Sequence, residues 1–415
     1  MASGTAAAQV IALLLTPVVT RLYGPAAFGQ LGVFNSLVAL LGPAAALTYP
    51  IAIVLPERQG DARQLARLSL LIAALVSLAC GLLLLVFQPA IVRAFDLAQV
   101  APYLFLLPFV LFTSAAQQVA QQWLIRERRF GAIARVNVAQ SLFTHGSQAA
   151  AGLLQPVGAV LIWLASIGRL LHALLLGAAG RGGFLRAPLS GRPGAVTPMR
   201  VIARRYWDFP VLRAPEVLIS AASVSVPVIM LSAFYGATVA GYFTLCQTIL
   251  ALPTRLIGNS VGAVFYPQIA SDAAAGKPIF GAIRRASLGL VAVGIWPFLL
   301  VLAFGPFLFG LVMGSEWLTA GEYARWVALG AFLNLVNRPA AQAMPVIHAQ
   351  GVHLLFSVAA LIVRISALLG GYLLFGSALA SVALYGAADL LFYLVRLLLI
   401  LRLARRFDRA RGARG

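Results

Sequence analysis

The chain is a succession of long apolar runs separated by short gaps that hold most of its charge. Twelve runs approach the ~20 residues that an α-helix needs to cross a bilayer. They cover approximately 3–21, 28–54, 68–88, 100–124, 137–154, 157–179, 210–234, 240–265, 286–309, 322–346, 353–375 and 377–401. This pattern predicts an all-α integral membrane protein of about 12 transmembrane helices. The longest polar stretch, Arg181 to Asp208, carries Gly182, Gly183, Pro188, Gly191, Pro193, Gly194 and Pro198, a composition that ends helices. It divides the chain into an N-terminal lobe (1–180, helices one to six), a cytoplasmic linker (181–208), a C-terminal lobe (209–401, helices seven to twelve) and a basic cytoplasmic tail (402–415).

Charge gives the orientation. If residue 1 lies in the cytoplasm, the gaps on that side hold 22 of the 31 Lys+Arg residues, and the opposite gaps hold or border only Arg21 and Arg93. That asymmetry is the positive-inside pattern and places both termini in the cytoplasm. The formal net charge of +20 is thus spread over short loops, where it meets anionic lipid headgroups rather than nucleic acid. A hydrophobic content of 61% and a mean hydropathy of +0.93 exclude an ordinary soluble domain. The first run has no basic segment before it and leads directly into the second, so it reads as mature structure and not as a cleaved leader.

The halves repeat one another. Pro17, Tyr23-Gly24 and Phe28-Gly29 reappear in order as Pro227, Tyr235-Gly236 and Ala240-Gly241, while Tyr49-Pro50 matches Tyr266-Pro267 and Pro89 matches Pro306. A repeat of six helices returns to the same side of the membrane. The expected lobes are therefore related by a pseudo-twofold axis along the membrane normal, with a central cavity between them.

Enzyme chemistry finds little support. The gaps opposite the basic loops are too short for a catalytic domain, and their acids are Asp96, Glu316 and Glu322 without a paired spacing. No Walker loop, glycine-rich phosphate cradle or zinc motif occurs, so neither cofactor nor metal is expected. Cys80 and Cys246 lie far apart inside apolar runs and read as buried thiols.

The informative positions are ionisable groups inside the runs, which cost at least ~2.5–3.5 kcal/mol at membrane depth unless their surroundings compensate. Arg169, Arg255, Arg338 and Arg364 lie deepest, Arg213 is nearer the cytoplasmic end of its helix, and Arg325 and Arg396 are close enough to helix ends to reach water. Glu216 and Asp389 are the two deep acids. Surplus guanidinium suits an anion-binding cavity, because the planar fork matches phosphate oxygens; Arg213, Arg255, Arg338 and Arg364 are the candidate substrate-binding set. Glu216 and Asp389 are candidates for ion coupling, or for structural pairing with Arg213 and Arg364. On helix five, Asn137, Ser141, Thr144 and Gln148 form one polar stripe, which reads either as interhelical glue or as a path for sugar hydroxyls.

Several strings resemble a known family. Thr20-Arg21-Leu22-Tyr23-Gly24-Pro25, followed by Phe28-Gly29 and by Tyr49-Pro50 through Pro56, is similar to the N-terminus of bacterial polysaccharide-biosynthesis flippases. These are the O-antigen-type flippases of the multidrug/oligosaccharidyl-lipid/polysaccharide exporter superfamily. Arg205-Tyr206-Trp207-Asp208-Phe209-Pro210, Ala251-Leu252-Pro253, Phe265-Tyr266-Pro267 and Gly314-Ser315-Glu316-Trp317 continue the match in register. The resemblance implies two six-helix lobes, alternating access, and no enzymatic step. It implies an undecaprenyl-diphosphate-linked oligosaccharide repeat unit as substrate in the bacterial inner membrane. It also implies a monomer working among membrane lipids, with polysaccharide polymerase and glycosyltransferases as pathway partners. Arg364 stands where that family often carries arginine, whereas Arg255 and Arg338 replace small residues. The alternative reading is a cation-coupled multidrug exporter of the same superfamily.

Overall fold

The computed structural model describes residues 2–180, 197–275, 277–344, 346–347 and 350–412, all of them in helices, turns or short connections. Six long helices come first: α1 (Ala2–Leu22), α2 (Pro25–Ala45), α3 (Gln59–Ala94), α4 (Leu107–Arg126), α5 (Phe130–Gly152) and α6 (Gly158–Ala179). Six more follow. These are α7 (Ala214–Tyr235) and α8, which runs Ala237–Pro253, through a π-helical turn Thr254–Gly258, to Asn259–Ala274. Next come α9 (Phe280–Met313) and α10, which spans Leu318–Val336, breaks at Asn337 and resumes as Arg338–Ala343. The last two are α11 (Gln350–Phe375) and α12 (Ala378–Gly412).

Helices are the solution a bilayer permits, because each backbone N–H and C=O must find its partner within the protein. Eight of the described helical spans are long and apolar enough to cross a membrane by length and composition. Their side chains sort accordingly. On α3, Leu71, Leu75, Leu78, Leu82 and Leu85 recur at helical spacing and are exposed, while Leu65, Ala66, Ser69 and Ala73 are buried. A broad exposed leucine face has no place in water and suits lipid. The chain is a multi-pass membrane protein with an all-α, two-lobed fold of twelve long helices.

By packing, the chain divides into two compact units, Met1–Gly241 and Tyr242–Gly415. Helix α7 falls in the first unit because it lies along α2, so this division comes one helix later than the linker at 181–208. The first unit has a core of Ile53, Leu65, Val119, Trp123, Leu124 and Ile133, joined by Ile202 from a short helix at Met199–Arg205 inside the linker. Residues 181–196 of that linker lie outside the described residues. The second unit has a core of Ile269, Ile279, Ile283, Ala343, Met344 and Ile400.

Most of the sequence repeats fall on corresponding elements; Tyr49-Pro50 opens a short helix (Tyr49–Ala52), whereas Tyr266-Pro267 lies inside α8. Tyr23-Gly24 joins α1 to α2, and Tyr235-Gly236 joins α7 to α8, where the positive φ of Gly236 (88°) ends the helix. Pro89 lies inside α3 and Pro306 inside α9, where Phe304 leaves helical geometry. One element differs from expectation. Residues 402–412, read as a basic tail, continue α12 as helix, and Ala404 is buried. Asp408 there accepts hydrogen bonds from the backbone N–H groups of Ile279 and Phe280 at 3.0 and 2.9 Å, capping the start of α9 from another helix.

Close helix contact in the second unit depends on Gly305 of α9 and Gly321 of α10. A Cβ on either would press into the other's carbonyl. Gly321→Val is expected to destabilise the protein by about 1–3 kcal/mol, read as a lower thermal unfolding midpoint in detergent. An unchanged midpoint would refute this packing.

Candidate functional site: a guanidinium cluster in the second unit

Helix α12 places Tyr385, Asp389, Tyr393 and Arg396 at successive spacings of four, four and three, so they share one face. Arg364, midway along α11, meets that face. Its Nε donates to Asp389 Oδ1 at 2.7 Å, and its Nη2 donates to Asp389 Oδ2 at 3.1 Å and to Tyr393 Oη at 3.0 Å. The guanidinium also lies 5.8 Å from the Tyr385 ring centre and 5.9 Å from that of Tyr393. Both charged side chains are 8% exposed. The bidentate fork is the geometry in which an arginine and a carboxylate best offset each other's desolvation. Gly330 of α10 leaves the space in which α12 approaches at Asp389.

Beside this neutral pair the polar inventory stops balancing. Asn337, at the break in α10, donates through Nδ2 to the carbonyls of Leu333 and Tyr393, both at 2.9 Å. Its buried Oδ1 has no partner. The next residue, Arg338, is half-buried and its Nε lacks a hydrogen-bond partner. Among the described residues Arg338 has no ion-pair partner, and its stem lies across Gly258. Arg396 lies 5.9 Å from the Phe356 ring. Arg255 is exposed on the π-helical turn that ends at Gly258. Arg338, Arg364 and Arg396 thus stand on α10, α11 and α12 of this unit, and the π-helical turn of α8 that carries Arg255 lies against the Arg338 stem at Gly258.

The remaining expected site residues divide differently. Arg213 belongs to the first unit, where it closes a π-helical turn (Phe209–Arg213) and pairs with Glu216 at 3.1 Å. Neither candidate for ion coupling is free, since Glu216 has Arg213 and Asp389 has Arg364. The α5 stripe, read as interhelical glue or as a path for sugar hydroxyls, makes contacts with the helices on either side of it. Ser141 donates to the Ala8 carbonyl of α1 at 2.8 Å, and Asn137 Oδ1 bonds His172 of α6 at 3.1 Å. Thr144 accepts from Gln140 at 3.0 Å and fills the space above Gly168 of α6, while the Gln148 carbonyl accepts from Tyr23 at 3.1 Å. Ser141, Thr144 and Gln148 are buried, and the side chains of Asn137 and Ser141 bond across to other helices. Arg169 donates through Nη2 to Asn35 Oδ1 at 2.5 Å, while its buried Nη1 has no hydrogen-bond partner. Sequence reasoning passed over Tyr385 and Tyr393, whose spacing of four either side of Asp389 is the signal that marks them.

The family model for polysaccharide biosynthesis proteins matches residues 18–322. No curated protein matches the sequence. Among solved structures, the chain is similar to the inward-facing conformation of a multidrug resistance MATE family transporter of the MOP superfamily. That match has TM-score 0.76 and 13% identity, covering 97% of this chain and 96% of that one. It is also similar to the lipid II flippase MurJ in an inward closed conformation, with TM-score 0.72, 11% identity, and 99% and 90% coverage.

Two outcomes test this geometry. Asp389→Ala is expected to cost about 3–5 kcal/mol in stability by stranding a buried guanidinium, and the double change Arg364→Met/Asp389→Leu to recover most of it; thermal unfolding of the three variants decides. Ser141→Ala is expected to cost about 1 kcal/mol and leave transport at the parent level, and lost transport at normal stability would put the stripe on the substrate path.

Proposed function

Because the chain belongs to the polysaccharide biosynthesis protein family, we propose that it is a flippase, a carrier and not an enzyme. In this reading it moves undecaprenyl-diphosphate-linked oligosaccharide repeat units across the bacterial inner membrane by alternating access. The observation that carries the proposal is Arg338, a half-buried guanidinium with an unfilled Nε and, among the described residues, no carboxylate of its own. A diphosphate supplies what that group lacks, namely oxygen acceptors and negative charge. Arg255, exposed on the adjacent π-helical turn, adds a second cation without an ion-pair partner among the described residues. Arg364 is already satisfied by Asp389 and positions the tyrosines of α12 around the cluster. Arg213, with Glu216, plays its part in the first unit as a structural pair.

The headgroup is the costly part of such a substrate, since charge does not enter hydrocarbon unassisted. Cationic side chains hold it within the protein while the polyprenyl tail stays in lipid. The positive-inside pattern supports cytoplasmic termini and loading from the cytoplasmic leaflet. Membrane lipids, a polysaccharide polymerase and glycosyltransferases are the partners this role calls for, around a monomeric carrier. A cation-coupled multidrug exporter would want an available carboxylate in the helices, and both deep acids here are engaged by arginine.

Arg338→Gln and Arg255→Gln are expected to lower surface polysaccharide at least about tenfold, the loss of one charge-assisted contact, while Arg338→Lys keeps part of it. The measurement is surface glycan at matched membrane expression, followed by translocation of a labelled polyprenyl-diphosphate sugar in liposomes. Full export by both glutamine variants would remove the binding site from the proposal.

A further inference from the structure

Far from the guanidinium cluster in sequence, the first unit carries a second polar site. A cavity of about 450 Å³ opens where the segment before α3 meets the helix Met199–Arg205. Its lining includes Leu55, Glu57, Arg58, Asp61, Arg205 and Tyr206. The walls are held from behind. Arg126 donates to the carbonyls of Ile53 and Glu57, both at 3.2 Å, fixing the segment before α3. Tyr49 donates to the Ala203 carbonyl at 3.1 Å, and Thr48 to that of Phe209 at 2.9 Å, fixing the helix that carries Arg205.

The charges inside are arranged by depth. Asp61 is buried, 7% exposed, and its Oδ1 has no partner. It lies in the first turn of α3, where the positive end of the helix favours a carboxylate, and its Oδ1 is left open towards the cavity it lines. Glu57, Arg58 and Arg205 are exposed at the mouth, and Tyr206 is half-buried beside Arg205, whose guanidinium lies 5.9 Å from its ring. Among the described residues none of these four charged groups is ion-paired to another. A buried carboxylate below, two guanidiniums above and an apolar lip of Leu55 and Pro56 form a dipolar receptacle. Its ligand needs a small cation at its tip and an anion next to it.

We propose that this cavity binds a phosphoethanolamine headgroup, with the primary ammonium on Asp61 and the phosphate between Arg58 and Arg205. A primary ammonium brings three N–H donors to an oxygen that has none, whereas a trimethylammonium brings no donor and more bulk. Guanidinium at the mouth suits the phosphate. In a lipid the tails follow the phosphate, and the exposed Leu55 in the cavity lining offers them apolar surface. The cavity is bordered by the basic segments that the positive-inside pattern assigns to the cytoplasm, which is where such a headgroup is met.

The test is native mass spectrometry of the full chain in detergent, titrated separately with phosphatidylethanolamine, phosphatidylcholine and phosphatidylglycerol, with soluble phosphoethanolamine as a fourth arm. Phosphatidylethanolamine is expected to bind at least about tenfold tighter than the other two, one charge-assisted hydrogen bond's worth. Asp61→Asn should abolish that preference, and Arg205→Gln, at the exposed mouth where folding is not at stake, should weaken phosphatidylethanolamine by a similar factor. Arg338→Gln should leave lipid binding unchanged, which separates this site from the transport site. Soluble phosphoethanolamine binding as tightly as the lipid would identify a free metabolite as the source, and weaker binding would identify the membrane; both keep the site. Equal binding of the three lipids by the parent protein, or an undiminished preference in folded Asp61→Asn, overturns it.

Discussion

A guanidinium halfway along a membrane-spanning helix has to be neutralised or wetted, and the second unit is organised around how that is done. Arg364 brings a charge to the middle of α11 that hydrocarbon would penalise heavily. Asp389 answers it with both carboxylate oxygens, and Tyr393 takes a further donor. Because the fork is planar and bidentate, it fixes the rotation of α12 against α11 as well as their separation. Tyr385 and Tyr393 are thereby placed, and the Tyr393 carbonyl becomes the acceptor that receives Asn337 at the break in α10. Remove the pair, and the tyrosines and the α10 break lose their common reference.

That full compensation gives meaning to its absence nearby. In the polar stripe of α5, Asn137, Ser141 and Thr144 each find a neighbour at ordinary hydrogen-bond distance. Asn337 Oδ1 and Arg338 Nε do not. Both lie where α10 interrupts its helix, close to the π-helical turn of α8, and irregular backbone at membrane depth is tolerated where it is buried in protein or borders water. Unfilled polar atoms at a helix break form a different kind of place from a satisfied stripe, and they draw a phosphate-bearing headgroup to this unit in the proposed role. Asp61 in the first unit repeats the contrast on a smaller scale, as a buried carboxylate oxygen left open beside a cavity with fixed walls.

Much of the fold was legible in the residues because the bilayer imposes one rule everywhere. Run length measures a helix against the membrane, the alternation of basic gaps counts crossings, and Tyr23-Gly24 and Tyr235-Gly236 recur where equivalent helices turn. Deep Arg364 and Asp389 were legible as possible partners, since few charges compete at that depth. The spacing of Tyr385 and Tyr393 about Asp389 was also written in the chain, although it carries no signal until α12 is known to turn that face to α11. The role of the α5 stripe was not legible. Asn137, Ser141, Thr144 and Gln148 share a face whether that face meets a path or two other helices, and nothing in their spacing says what stands opposite.

The sequence by itself determined that this is a polytopic helical membrane protein with a repeated half and more cation than anion inside its apolar runs, because hydropathy, loop charge and residue order are local properties of the chain. Tertiary structure alone decided which charges are spent. It gave Asp389 to Arg364 and Glu216 to Arg213, bonded Ser141 and Asn137 to other helices, and left Arg338 and Asp61 with open atoms, since compensation depends on which side chains are brought within hydrogen-bond reach. It also continued α12 past the membrane run, where Asp408 caps α9, a contact between residues 128 and 129 positions apart.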